Sequence, residues 1–234
     1  MPGAAETLSR IRAANRPVLF LSNNPTRTRA AYAEKLTRLG IPATEADVIN
    51  SSLVMVEWLL QEAPSAVLYV LGEEPLCNEL RAAGFELSEQ PERIQFVVAS
   101  FDRTFDYRKL QIAFDAMRAG ARLVATNADR YCPVPGGGQP DAAALIAAIE
   151  ACTETHCEVV VGKPSPIMAA TVRARLGQTA QRCVMIGDRL ETDIAMGVAA
   201  QMDTMLVLTG ASTIADLERS TIRPTRVLAT IGEL

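Results

Sequence analysis

Histidine is almost missing from this chain, with His156 the only one in 234 residues. Any mechanism built on a histidine base therefore has one candidate, and no serine or cysteine partner stands out for it, which excludes ordinary Ser–His and Cys–His hydrolysis. No apolar run approaches the roughly 20 residues needed to cross a bilayer. A basic excess is also lacking: 23 Lys and Arg face 27 Asp and Glu, a net charge of −4. Nucleic acid and anionic membrane surfaces, which need a basic face, are thus not expected partners. The five cysteines, Cys77, Cys132, Cys152, Cys157 and Cys183, contain no C-x-x-C pair. That pattern fits reduced thiols rather than a disulfide scaffold. "CTETHC" gathers Cys152, His156 and Cys157, but one cluster without a matching pair is a poor zinc signature. No nucleotide fingerprint, G-x-G-x-x-G or G-x-x-x-x-G-K-[ST], follows any apolar run. The opening "MPGAAETLSR" carries an acid where a signal peptide would carry bases, so a cytoplasmic protein is expected.

What the chain does have is apolar material, 49% of its residues against 21% charged, enough to bury a full core. Short apolar runs recur at Val18–Leu21, Ala66–Leu71, Gln95–Ala99, Arg122–Ala125, Glu158–Val161, Arg182–Ile186 and Thr204–Leu208. Between them apolar residues fall three and four apart, as in Tyr32, Leu36 and Leu39, or Met168, Val172 and Leu176. Gly40 and Gly177 sit where helix C-caps do, and Ser165 before Pro166 is a strong helix start. Strands alternating with helices predict an α/β fold with mainly parallel pairing. The segment "TNADRYCPVPGGGQPD", residues 126–141, has three prolines and three consecutive glycines. It is expected to be an irregular loop, either a plain connection or one reaching over a site.

In parallel α/β sheets, ligands collect at the carboxyl ends of strands. Three such ends carry suitable chemistry. Ser22, Asn23 and Asn24 offer a hydroxyl, amides and backbone N–H groups to an anion, although a helix-capping turn is the alternative. Lys163, in Gly162-Lys163-Pro164, puts a positive charge at a defined point. In "GDRLETD", Asp188 sits at a strand tip and Asp193 begins the next helix; two carboxylates there suit a hard cation such as Mg²⁺.

"FLSNN", "VVGKPSP" and "VMIGDRLETDIAMGVAA", in that order, resemble motifs II, III and IV of the haloacid dehalogenase superfamily. With "PGAAETL", "TNAD" and "PGGG", the chain looks like the NagD-like, p-nitrophenyl phosphatase-like subfamily IIA. That resemblance implies a Rossmann-like three-layer α/β/α core from residues 1–62 and 157–234, with an α/β cap of type C2 at 63–156. It implies that Ser22 and Lys163 hold a transferring phosphoryl group with Asn23 and Asn24. It places Mg²⁺ on Asp188 with Asp193 behind it, and Tyr131 and Cys132 in a cap loop that inspects a small phosphorylated metabolite. A homodimer through the cap follows from the same likeness. Family members also carry a D-x-D-G strand whose first acid is the nucleophile, and no D-x-D-G occurs here. "FDRTFD", with Asp102 and Asp106, has the wrong spacing and falls in the expected cap. "PGAAETL", which follows the D-x-D-G strand in the family, here opens the chain. The expectation is a central first strand absent from this sequence, an N-terminally truncated phosphatase, and no aspartyl-phosphate from the chain as written. A non-catalytic relative that binds a phosphorylated ligand or a protein partner is the alternative. Leaving a central strand out would unpair buried N–H and C=O groups on both neighbours, at roughly 1–3 kcal/mol each.

Overall fold

A computed structural model describes residues 3–234. Its strands, in chain order, are β1 Phe20–Ser22, β2 Val48–Asn50, β3 Val67–Leu71, β4 Glu86–Leu87, β5 Phe96–Ala99, β6 Arg122–Ala125, β7 Tyr131–Val134, β8 Gly137–Pro140, β9 Val159–Val160, β10 Val184–Gly187, β11 Asp203–Val207 and β12 Arg226–Leu228. The α-helices are α1 Ala4–Ala13, α2 Arg29–Arg38, α3 Ser51–Glu62, α4 Glu74–Ala82, α5 Tyr107–Arg118, α6 Ala142–Thr153, α7 Pro166–Leu176, α8 Ala195–Ala199 and α9 Ile214–Arg219. Each apolar run expected as a strand overlaps one. None of these helices is long and apolar enough to cross a membrane.

The chain packs as two units. Among the described residues, one comprises 3–20, 30–48 and 163–234, the other 21–29 and 49–162. Besides residues 63–156, the second unit takes in residues 21–29, 49–62 and 157–162.

The second unit is built on a parallel sheet of order β4-β3-β5-β6-β9. Its central strands read as continuous apolar text, "FVVA" and "LVA", and all of those residues are buried, as a sheet covered on both faces demands. Ala113, Ala116, Leu145 and Ile149 from α5 and α6 pack on Val97, Ala99, Leu123 and Ala125. The first unit holds the parallel sheet β10-β11-β12, with Leu190, Ile194 and Leu206 buried together. β1 pairs with β2, in a sheet separate from β10.

Local signals account for several boundaries. Ser165 Oγ accepts from the Ile167 N–H with Pro166 at the first helical position, and α7 ends on Gly177 at φ +59°. Gly40, at φ +82°, follows α2. Leu39 departs from the expected stripe, since it lies just past the last turn of α2 and is exposed.

The 126–141 segment is not the irregular loop expected. Tyr131–Val134 and Gly137–Pro140 pair antiparallel, with Cys132 opposite Gln139 and Pro133 opposite Gly138. Pro135 and Gly136, the latter at φ +82°, make the two-residue turn. Counting from the pair that closes the turn, Pro133 and Pro140 fall on alternate pairs whose backbone nitrogens face away from the partner strand. A two-stranded ribbon has only edges, where a proline removes no ladder bond.

Candidate active site

The strand-end chemistry falls into one group in each unit. In the first unit β10 delivers Gly187 and Asp188. Asp188 is pinned by the turn after β11: Ala211 N–H donates to Asp188 Oδ2 at 2.7 Å, and Ser212 N–H donates to the Asp188 carbonyl at 2.9 Å. Ser212 Oγ in turn accepts the Leu190 N–H at 3.0 Å. Gly210 lets this turn come close, since a Cβ there would lie 1.9 Å from Asp188 Oδ2. Sequence reading missed residues 210–212. Their signal was available, because small polar residues follow the 204–208 apolar run just as Ser22 follows 18–21.

Asp193 lies in a single π-helical turn, Leu190–Ile194, that leads into α8. Its side chain is buried, and both oxygens are occupied. Oδ1 accepts from Lys163 Nζ at 2.7 Å and Oδ2 accepts from the Arg189 N–H at 3.1 Å. Gly187 permits this approach, for a Cβ on it would meet Asp193 Cβ at 2.3 Å. Asp193 therefore acts on Lys163, whose ammonium it holds in place beside a cis Lys163–Pro164 peptide.

Mg²⁺ needs oxygen donors and accepts few from protein when phosphate and water supply the rest. Among the described residues no cluster of three or more Asp, Glu, His or Cys is placed to hold a metal. Asp188 fits as a single carboxylate ligand, with one oxygen spent on Ala211 N–H. Asp193, with both oxygens bonded, fits only as a support.

The second group belongs to the other unit. Ser22 Oγ accepts the Asn24 N–H at 3.2 Å, and Asn24 Oδ1 accepts both the backbone N–H and the hydroxyl of Thr26, at 2.9 and 2.7 Å. Ser51 Oγ donates to the Asn23 carbonyl at 2.6 Å. These bonds make residues 22–26 a self-braced turn. It is not a helix cap, since α2 begins only at Arg29. Asn23 Nδ2 donates to Asp129 Oδ2 at 2.8 Å, and Asn24 Nδ2 lies 3.6 Å from Cys132 Sγ. Cys132 of the β7–β8 hairpin thus stands over Asn24. Tyr131 is more than half exposed, and its ring covers Gly138, where a Cβ would lie 2.7 Å away.

The remaining acids and thiols have local tasks. Asp106 caps α5 by accepting the Lys109 N–H at 2.8 Å. Asp102, buried, accepts from Thr104 N–H, Thr104 Oγ1 and Lys109 Nζ at 2.9, 2.6 and 2.6 Å. His156 is exposed beside Glu150. Burial pushes the Cys157 thiol up to about 11, the opposite of what a metal ligand or nucleophile needs.

Comparisons with known proteins bear on these groups together. A family model described as haloacid dehalogenase-like hydrolase matches residues 1–86, and one described as HAD-hydrolase-like matches residues 160–234. The sugar-phosphatase AraL of Bacillus subtilis is 39% identical over 210 residues, covering 90% of this chain and 77% of its own. The 4-nitrophenylphosphatase of Thermotoga maritima superposes with a TM-score of 0.95 at 33% identity, over 100% of this chain and 88% of its own. NagD of Escherichia coli K-12 gives 0.91 at 29%, over 100% and 91%.

Proposed function

Because the chain belongs to the haloacid dehalogenase superfamily of hydrolases, in its NagD-like phosphatase branch, we propose that its ligand is a small phosphorylated metabolite. Ser22 and Lys163 bind the phosphoryl group, helped by Asn23 and Asn24. The observation that carries this reading is the buried Lys163–Asp193 pair, 2.7 Å long, which spends a carboxylate on aiming one ammonium. A lysine held this way presents a fixed positive charge to an anion without having to be ordered on binding. Ser22, braced by the Asn24 N–H, adds a hydroxyl donor.

Asp188 is the residue that would hold Mg²⁺, which when bound neutralises charge on a phosphoryl oxygen. Asp193 supports that site from behind, and through Oδ1 it also holds Lys163. Residues 1–62 and 157–234 form the core in this reading and 63–156 the cap, through which two copies pair. Tyr131 and Cys132, on the hairpin beside Asn24, select the rest of the substrate. A cytoplasmic setting accords with reduced cysteines.

Hydrolysis through an aspartyl-phosphate needs a carboxylate nucleophile. The 234 residues contain no D-x-D-G, and Asp102 and Asp106 are engaged in a turn and a helix cap. The chain as given therefore binds phosphate without turning over. With p-nitrophenyl phosphate and Mg²⁺ it is expected to release no nitrophenol above background. Release that EDTA abolishes would contradict that expectation.

A further inference from the structure

The "TNAD" stretch after β6 has no part in the mechanism so far, yet it carries a dense run of buried polar groups. Ser100, Thr126 and Asn127 are fully buried and Asp141 nearly so. Their hydrogen bonds have one consistent direction. Asp129 Oδ2 and Asp141 Oδ1 accept from the two N–H groups of Asn127 Nδ2, at 3.0 and 2.9 Å. Carboxylates can only accept, so the Asn127 amide must turn its NH₂ toward them and its oxygen away. That oxygen takes the Thr126 hydroxyl proton at 2.8 Å, which leaves Ser100 as the donor to Thr126 Oγ1 at 2.7 Å. Asp141 also caps α6 through the Ala142 N–H at 2.6 Å. The Asp129 carbonyl is held by the Ala143 N–H at 3.1 Å.

The network continues through the Asp129 carboxylate, which accepts from Asn23 Nδ2 at 2.8 Å. The same acceptor logic orients Asn23: its NH₂ faces Asp129, so its Oδ1 faces Gly162. A Cβ on Gly162 would lie 2.8 Å from that oxygen and 2.5 Å from the Thr126 carbonyl. One strand end thus braces the middle residue of the 22–24 loop and abuts the glycine directly before Lys163. A single surface loop has no need of a fully satisfied buried network behind one amide. Such networks rigidify what they hold.

We propose that Asp129, oriented by Asn127, is a positioning residue for phosphate binding: it fixes Asn23, and through it the 22–24 loop. This rests on the phosphate reading of that loop. It also assigns Asp129 a role by acceptor geometry and not by charge, since a carboxylate near an anion otherwise repels it.

Inorganic phosphate with Mg²⁺, titrated calorimetrically into the 234-residue chain and two variants, tests the assignment. The Asn23 side-chain amide is followed by ¹⁵N NMR in the same samples. Asp129→Leu removes the acceptor and is expected to weaken phosphate roughly tenfold, with loss of the distinct Asn23 amide signal. Asp129→Asn keeps an oxygen able to accept from both Asn23 and Asn127 while removing a negative charge. It is expected to bind phosphate as tightly as wild type or more tightly, and it decides the matter alone should the leucine variant not fold. Asp129→Leu binding like wild type, or Asp129→Asn binding as weakly as a loss of the site, would overturn the role of Asp129 and leave the phosphate reading standing. A wild-type chain that binds no phosphate would instead overturn that reading, and this role with it.

Discussion

The two units each contain a lysine–aspartate pair at a strand end, and the pairs are nearly identical in length. Lys163 Nζ lies 2.7 Å from Asp193 Oδ1, and Lys109 Nζ lies 2.6 Å from Asp102 Oδ2. Both aspartates are buried. The connections differ. Asp102 and Lys109 are seven residues apart, with Thr104 between them bonded to both, so the pair closes the turn that starts α5. Asp193 and Lys163 are thirty residues apart and join the loop after β9 to the turn after β10. The first pair stabilises a local turn, whereas the second holds a charge where two loops meet. Pair chemistry alone does not separate structure from function; what else each partner touches does.

The largest test of that contrast is on the local pair. Asp102→Ala leaves the Lys109 ammonium without its carboxylate and Thr104 without its acceptor. It is expected to cost about 3 kcal/mol in urea unfolding, with phosphate affinity unchanged in calorimetry. A loss of phosphate binding in that variant, while still folded, would erase the distinction between the pairs. A smaller effect is expected at Glu73, which accepts from Arg103 Nε at 2.6 Å. This hydrogen bond holds the Glu73 carboxyl below the usual glutamate range. A depressed pKa stabilises the fold above the unfolded value, and that contribution is lost as pH falls through the folded one. Glu73→Gln should therefore flatten part of the acid loss of stability below the ordinary glutamate range. Denaturation midpoints on both sides of that range check it, and an unchanged acid profile would remove Glu73 from the account.

Much of this was legible before the structure. The strand ends at Ser22, Lys163 and Asp188 could be found because apolar runs of strand length end in small polar residues, and parallel sheets put ligands there. Asp193 could be seen as a second carboxylate, but its two hydrogen bonds, which make it the partner of Lys163, depend on a π-turn that no local propensity encodes. The 126–141 hairpin was hidden because prolines and glycines argue against strands in general, and only the register reveals that Pro133 and Pro140 need no donor. Asp129 was hidden for a different reason: its partner Asn23 is 106 residues away, and no pattern within the 126–141 segment points to it.

The most direct test of the central claim compares Lys163→Met with Lys109→Met. Both variants leave a buried aspartate without its cation, so both lose stability and must be measured where each remains folded. Titrated with inorganic phosphate and Mg²⁺, Lys163→Met is predicted to bind roughly a hundredfold more weakly than wild type, while Lys109→Met binds as wild type does. Equal affinities in the two variants, whether both lost or both kept, would contradict it.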